Sequence, residues 1–262
     1  MPSTGFYDVV VEIKSGAYMP WTLVYLAVER SDAKYVPKTM QLVVSFDWNP
    51  PSGYLDNFVQ GLREFVDHAW DAFEEQLIVT RIDIYVGGLN WDSAHIRCWQ
   101  ANNFNPNALV QYSVDAQGNP IKGSYRGMQR INLPQYWPHD SATWTEWPAY
   151  LAITHELGHA FFHLADEYMT GPDVNPPQDT ECRLPWEPVS IMDAAYWPFP
   201  RTEFCVRAIH DPDGDTAQTW WWWGWSSWRT IAYFNPDMYE PFVVYDTTID
   251  NVAAAFVQVV CH

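Results

Sequence analysis

Two histidines four residues apart, in His155-Glu156-Leu157-Gly158-His159, constrain this chain more than anything else in it. On an α-helix such residues lie one above the other on a single face, so both imidazoles converge on one point. The flanks at 150–154 and 160–162 are apolar enough for a buried helix, where unpaired imidazoles and a carboxylate would be costly. A tetrahedral Zn2+ resolves this: the histidines ligate it, and Glu156 stands beside the open position to take a proton from metal-bound water. Zinc lowers the pKa of such water to about 7 and polarises the carbonyl under attack, which is the chemistry of peptide-bond hydrolysis. Gly158 costs about 1 kcal/mol relative to Ala inside a helix, so a packing reason for it is expected. The bland alternative is a polar stripe on a core helix that binds nothing.

A third ligand sets a geometric demand. A straight helix would carry Asp166 about 16 Å beyond His155, at about 1.5 Å per residue. The helix is therefore expected to end near Phe162-His163 and the chain to turn back. Metzincins make that turn with a glycine in HExxHxxGxxH or HExxHxxGxxD. In this chain Phe162 and Ala165 occupy those two positions, and one extra residue restores the frame, with the turn at His163 and the ligand at Asp166. Histidine is among the few non-glycine residues enriched at positive φ. His163 continues the i, i+4 series but would stand about 12 Å from His155 along the axis. Glu167, directly after Asp166, remains the competing ligand. Ser190-Ile191-Met192-Asp193 lies at a distance suited to a Met-turn beneath the metal.

The stretch His155–His159, followed by Leu164-Ala165-Asp166-Glu167-Tyr168, resembles the IgA-peptidase family of metzincin-type zinc peptidases. Ser190-Ile191-Met192-Asp193 and Phe204-Cys205-Val206-Arg207-Ala208-Ile209 are similar to that family's Met-turn and the cysteine-bearing segment after it. The resemblance covers roughly residues 148 to 210. It departs at Phe162-His163, where relatives carry Gly or Asn. It implies a zinc endopeptidase with His155, His159 and Asp166 as metal ligands, Glu156 as base and Met192 beneath the metal. The expected fold class is α+β: a zincin- or metzincin-like two-lobed domain with a mixed sheet, a backing helix, a zinc helix and a Met-turn. Tyr196, four residues after Met192, is the phenol expected to help stabilise the oxyanion.

The 262 residues suit one large or two-lobed domain, and a hydrophobic content of 48 % supports a folded core. The expected division is an N-terminal β-rich extension over 1–40 and a peptidase domain over 41–262, its upper lobe ending near residue 168. A formal net charge of −18 repels nucleic acid and anionic membranes. No run of about 18 apolar residues marks a membrane span. Cys98, Cys182, Cys205 and Cys261 form an even set without a CxxC, which favours disulfides and an extracellular, secreted protein over free thiols. No signal peptide is legible at the start of the numbering.

Along the chain, 8–13 and 21–28 read as a hairpin, and 41–46 as a strand. An amphipathic helix follows, with Phe58, Leu62, Phe65, Val66, Ala69 and Phe73 on one face and Asp67 among its polar residues. Further strands are expected over 78–86, 94–99 and 127–133, with Met128 to Asn132 as the edge that pairs with an extended substrate. Thr143 and Glu146 fit a capping box before the zinc helix. Residues 252–257 read as a closing helix. Asp211, Asp213 and Asp215, alternating around Gly214, are weighed as a Ca2+ loop against a solvated turn. Trp220-Trp221-Trp222-Trp223-Gly224-Trp225 is weighed as a packed core against a platform for sugars, apolar groups or a membrane interface. The leading expectation is a zinc-dependent endopeptidase acting on proteins or peptides. The alternative is a zincin-fold binding or structural protein whose Trp-rich lobe engages carbohydrate or protein surfaces.

Overall fold

The computed structural model describes residues 9–12, 25–28, 37–137, 144–167, 183–184, 187–188, 190–192, 203–207, 210, 212–213, 216–241 and 257–261. The chain divides into two units, 1–36 and 37–262. In the first, β1 (Val9–Glu12) and β2 (Tyr25–Val28) pair antiparallel as a hairpin, with Val9 opposite Val28.

The second unit is α+β and is built on one mixed six-stranded sheet with the order β10-β4-β3-β5-β7-β6. The strands are β3 (Lys38–Phe46), β4 (Leu77–Tyr85), β5 (Ile96–Cys98), β6 (Asn107–Gln111), β7 (Arg126–Leu133) and β10 (Gln258–Cys261). All neighbours run parallel except β6, which pairs antiparallel with β7 at the sheet's edge. In β4 the buried positions step from Val79 to Ile82, an odd interval that would turn one of them outward in a regular strand. A register shift opposite, between Met40 and Gln41, absorbs the extra residue and keeps both inside.

Helix α1 (Ser52–Ala72) buries Phe58, Leu62, Phe65, Val66 and Ala69 against the sheet and against α2 (Trp147–Phe162). Its buried stripe is wider than the apolar residues alone indicate. Asp67 and His68 are inside, and His68 Nδ1 meets Thr154 Oγ1 of α2 at 2.7 Å. A two-stranded pair, β8 (Arg183–Leu184) with β9 (Glu187–Pro188), and two short helices, α3 (Ala217–Trp221) and α4 (Ser227–Phe234), belong to the later part of the chain. Ile191, Met192, Phe204, Trp228 and Ile231 join the core formed by the sheet, α1 and α2.

Two expectations are corrected, and a third falls almost wholly outside the described residues. The segment Met128 to Asn132 lies within β7, an interior strand between β5 and β6, and the edge is β6, which the sequence reading passed over. β6 is short and mostly exposed, so it lacks the apolar run that marks a strand. Of the closing helix expected over 252–257, residues 252–256 lie outside the described residues; the chain after it runs as a parallel strand, with Val259 beside Ile82 in register. Cys98 and Cys261 are free thiols, so four bridged cysteines are not what the chain builds; Cys205 is disulfide-bonded, and Cys182 lies outside the described residues. Among the described residues no helix is long and apolar enough to cross a membrane.

Candidate metal centre

Helix α2 carries the histidine pair, and its two ends are set by different means. Glu146 is the N-cap but makes no side-chain cap bond, Pro148 stands in the first turn, and Thr143 lies outside the described residues. The helix thus begins at Trp147, three residues later than a cap at Thr143 would start it, and a first turn tolerates Pro148. The C-terminus behaves as the ligand geometry demands. His163 caps the helix in the left-handed conformation at φ 61° and ψ 25°, its N–H bonded to the Gly158 carbonyl. Its Nδ1 accepts from the Gly127 amide (2.9 Å), its carbonyl accepts from Trp222 Nε1 (3.0 Å), and its ring meets Phe234 edge-on at 4.6 Å.

That turn returns Asp166 to the histidines. His155 Nε2 and His159 Nε2 are 3.0 Å apart, and Asp166 Oδ1 lies 3.3 and 3.2 Å from them. Ligand atoms about 2.0–2.1 Å from a tetrahedral ion stand about 3.3 Å from one another, so the three atoms fit three corners of a zinc site. The outer contacts fix the tautomers. His155 Nδ1 donates to the Ile191 carbonyl at 2.8 Å and His159 Nδ1 to the Leu164 carbonyl at 2.7 Å. A carbonyl only accepts, so Nδ1 carries a hydrogen in each ring and Nε2 is the atom left to take a metal ion. Two nitrogens and a carboxylate at these distances call for a shared cation, a metal ion or a proton. Asp166 Oδ1 is buried and, among the described residues, has no hydrogen-bond donor beyond these nitrogens.

Without a metal ion, a proton on His159 takes the cation's place. Burial works against ionising Asp166, yet His159 and His155 beside it hold its carboxyl well below the usual range. Burial likewise opposes charge on His159, but Asp166, Glu156 and the Leu164 carbonyl together raise it to about 9. Glu156 is pushed up by burial, with His155 and His159 pulling the other way and the backbone of Ala108 in β6 also favouring the charged form.

Beneath the helix lies the turn at 190–192. A Cβ on Gly158 would come within 2.7 Å of Met192 Sδ, which is the packing reason for that glycine. Glu167 faces elsewhere: its amide donates to the Met192 carbonyl at 2.9 Å and its carboxylate accepts from Ser227 Oγ at 2.7 Å. Adjacent side chains thus separate after the turn, Asp166 toward the histidines and Glu167 away from them.

Two supporting residues went unnoticed in the sequence. His68, through Thr154, ties α1 to the residue before His155. Tyr125, just before β7, is buried with its hydroxyl 3.2 Å from His159 Nδ1. Neither belongs to a motif, and only the folded chain brings them near. Tyr196, Asp211 and Asp215 lie outside the described residues, and Asp213 is exposed in a turn.

The tryptophan run divides between the two expectations. Trp222 is buried with Tyr125 and Ala165, whereas Trp220 and Trp223 are 40 % and 56 % exposed. Trp221 lies against Tyr125 at 5.5 Å, and Lys122, Arg126 and Arg229 stand over Trp220, Trp222 and Trp225.

No known family, curated protein or solved structure matches this chain. The site is read from its own geometry.

Proposed function

We propose that the unit spanning 37–262 is a zinc-dependent endopeptidase of zincin- or metzincin-like, two-lobed design. The observation that carries this reading is the convergence of His155 Nε2, His159 Nε2 and Asp166 Oδ1 at 3.0–3.3 Å, with both Nδ1 atoms committed to carbonyls. Zinc held there would supply Lewis acidity to water and to a substrate carbonyl. Glu156, between the two histidines in sequence and raised by burial, is the proton acceptor and later the donor to the leaving amine. The Ala108 backbone is among the groups that favour its charged form, and Ala108 belongs to β6, the antiparallel edge strand. An extended peptide adding to that edge would run past Glu156, with recognition through backbone hydrogen bonds. The similarity of the two sequence blocks to the IgA-peptidase family supports the same reading. A secreted protein acting on protein or peptide substrates follows from it.

A second reading, a binding protein that uses the Trp-rich segment, is favoured by the exposure of Trp220 and Trp223. The base weighs against it, because a structural zinc has no need of a carboxylate buried beside its ligands. The deciding experiment is metal analysis of purified protein with a peptide-library digest, run with and without chelator. Zinc near one per chain and chelator-sensitive cleavage are expected. Zinc without cleavage favours the binding reading, and neither zinc nor cleavage overturns the proposal.

A further inference from the structure

A second group of metal-ligating side chains lies on the far side of the turn that follows α2. Glu167, Cys205 and His210 are buried, and one ligand atom from each lies within 4.8 Å of the others. Cys205 Sγ and His210 Nδ1 are 3.5 Å apart. A thiolate about 2.3 Å and an imidazole about 2.0–2.1 Å from a tetrahedral zinc stand about 3.6 Å from each other, so this pair already has the spacing of two ligands. Ser227 Oγ donates to Glu167 Oε1 at 2.7 Å, the kind of outer hydrogen bond that aims a ligating carboxylate. The Glu167 amide is held by the Met192 carbonyl at 2.9 Å, so the side chain is fixed away from Asp166. The group draws on none of the residues of the first centre.

Cys205 is disulfide-bonded, and a disulfide sulfur carries no charge to offer a cation. The ligand set is complete only in the reduced chain. We propose that Glu167, Cys205 and His210 form a second, redox-controlled zinc site, closed by the disulfide and opened by a small-molecule thiol. Two such thiols supply two electrons and become a disulfide, while the protein S–S bond breaks and leaves two protein thiols. Zinc then takes the Cys205 thiolate with His210 and Glu167, and the thiol proton is released to solvent. A set of thiolate, imidazole and carboxylate selects zinc over Mg2+ or Ca2+, which prefer all-oxygen sites. Because Cys98 and Cys261 are already free, reduction changes the thiol count only at Cys205 and its partner.

The test uses the full chain carrying Cys261→Ser, stripped of metal and prepared with the disulfide intact or reduced by a phosphine. Each form is reconstituted with Zn2+, desalted and assayed by elemental analysis; a parallel set takes Co2+. The reduced chain is expected to hold one more metal ion than the oxidised chain. Its cobalt form is expected to show a near-ultraviolet thiolate-to-cobalt band that the oxidised form lacks. His210→Ala, and separately the milder Glu167→Gln, should abolish or weaken that increment at least tenfold in affinity. His159→Ala should leave it unchanged while lowering the metal content of the oxidised form, so failure at either centre is told from failure at the other. An equal metal count in both forms overturns the proposal, as does an increment that survives His210→Ala. Loss of near-ultraviolet circular dichroism on reduction, without extra metal, overturns it too.

Discussion

Glu156 is raised by burial against the pull of His155 and His159. Replacing it with glutamine keeps the shape but removes the proton acceptor. Glu156→Gln is expected to retain metal and lose at least about two orders of magnitude in turnover, the scale of general-base loss. Unchanged turnover at full metal occupancy would sink the assignment. Tyr125 acts at one remove, its hydroxyl sharing His159 Nδ1 with the Leu164 carbonyl. Outer partners of ligating histidines are worth about 10–100-fold in metal affinity. Tyr125→Phe should therefore weaken zinc by that factor in competition with a chromophoric chelator, with the circular dichroism unaltered. An unchanged affinity would reduce Tyr125 to packing.

Between elements, closeness is enforced by backbone. A Cβ on Gly127 of β7 would run into the carbonyl oxygens of His159 and Ala160, which cannot give way as a flexible side chain does. Gly127→Ala should destabilise the domain by about 1–3 kcal/mol or more, the range of overpacking, and lower its metal affinity as β7 is pushed off α2. Chemical denaturation read alongside zinc titration checks both. The same junction carries a pH dependence. Burial, then Arg126, lowers His163 from 6.5 to about 4, so the fold favours its neutral ring, which accepts from Gly127. Its contribution is complete above 6.5 and is lost as pH falls toward about 4. Unfolding free energy should drop with acidification over that window, and His163→Gln should flatten the slope. An identical slope in the variant would remove His163 as the cause. A glycine at 163 would suit the left-handed backbone, yet it would surrender the ring that holds β7 and packs on Phe234.

At the scale of the whole molecule, a formal charge of −18 sets carboxylates against one another across the surface. Such self-repulsion opposes the compact state and is screened within a Debye length of about 10 Å at 0.1 M salt. The melting temperature should rise as a monovalent salt is raised from about 10 mM to about 0.15 M, where screening becomes effective. A flat or falling melting temperature would mean that local ion pairs, such as Arg81 with Asp83, outweigh the global repulsion.

What the sequence determined by itself was local. The i, i+4 spacing of His155 and His159, the need for the helix to stop near His163, and the amphipathic stripe of α1 all follow from helix geometry acting on neighbouring residues. The structure alone decided which carboxylate turns toward the imidazoles, because Asp166 and Glu167 are chemically alike and only the turn and its anchors separate them. It decided the edge strand as well. β6 becomes an edge by pairing with β7, a fact of sheet order that its own exposed residues do not encode. Tyr125 at His159 and the grouping of Glu167, Cys205 and His210 depend on contacts across long stretches of chain. Periodicity registers what a residue's own element requires of it, whereas such groupings exist only once the elements have packed.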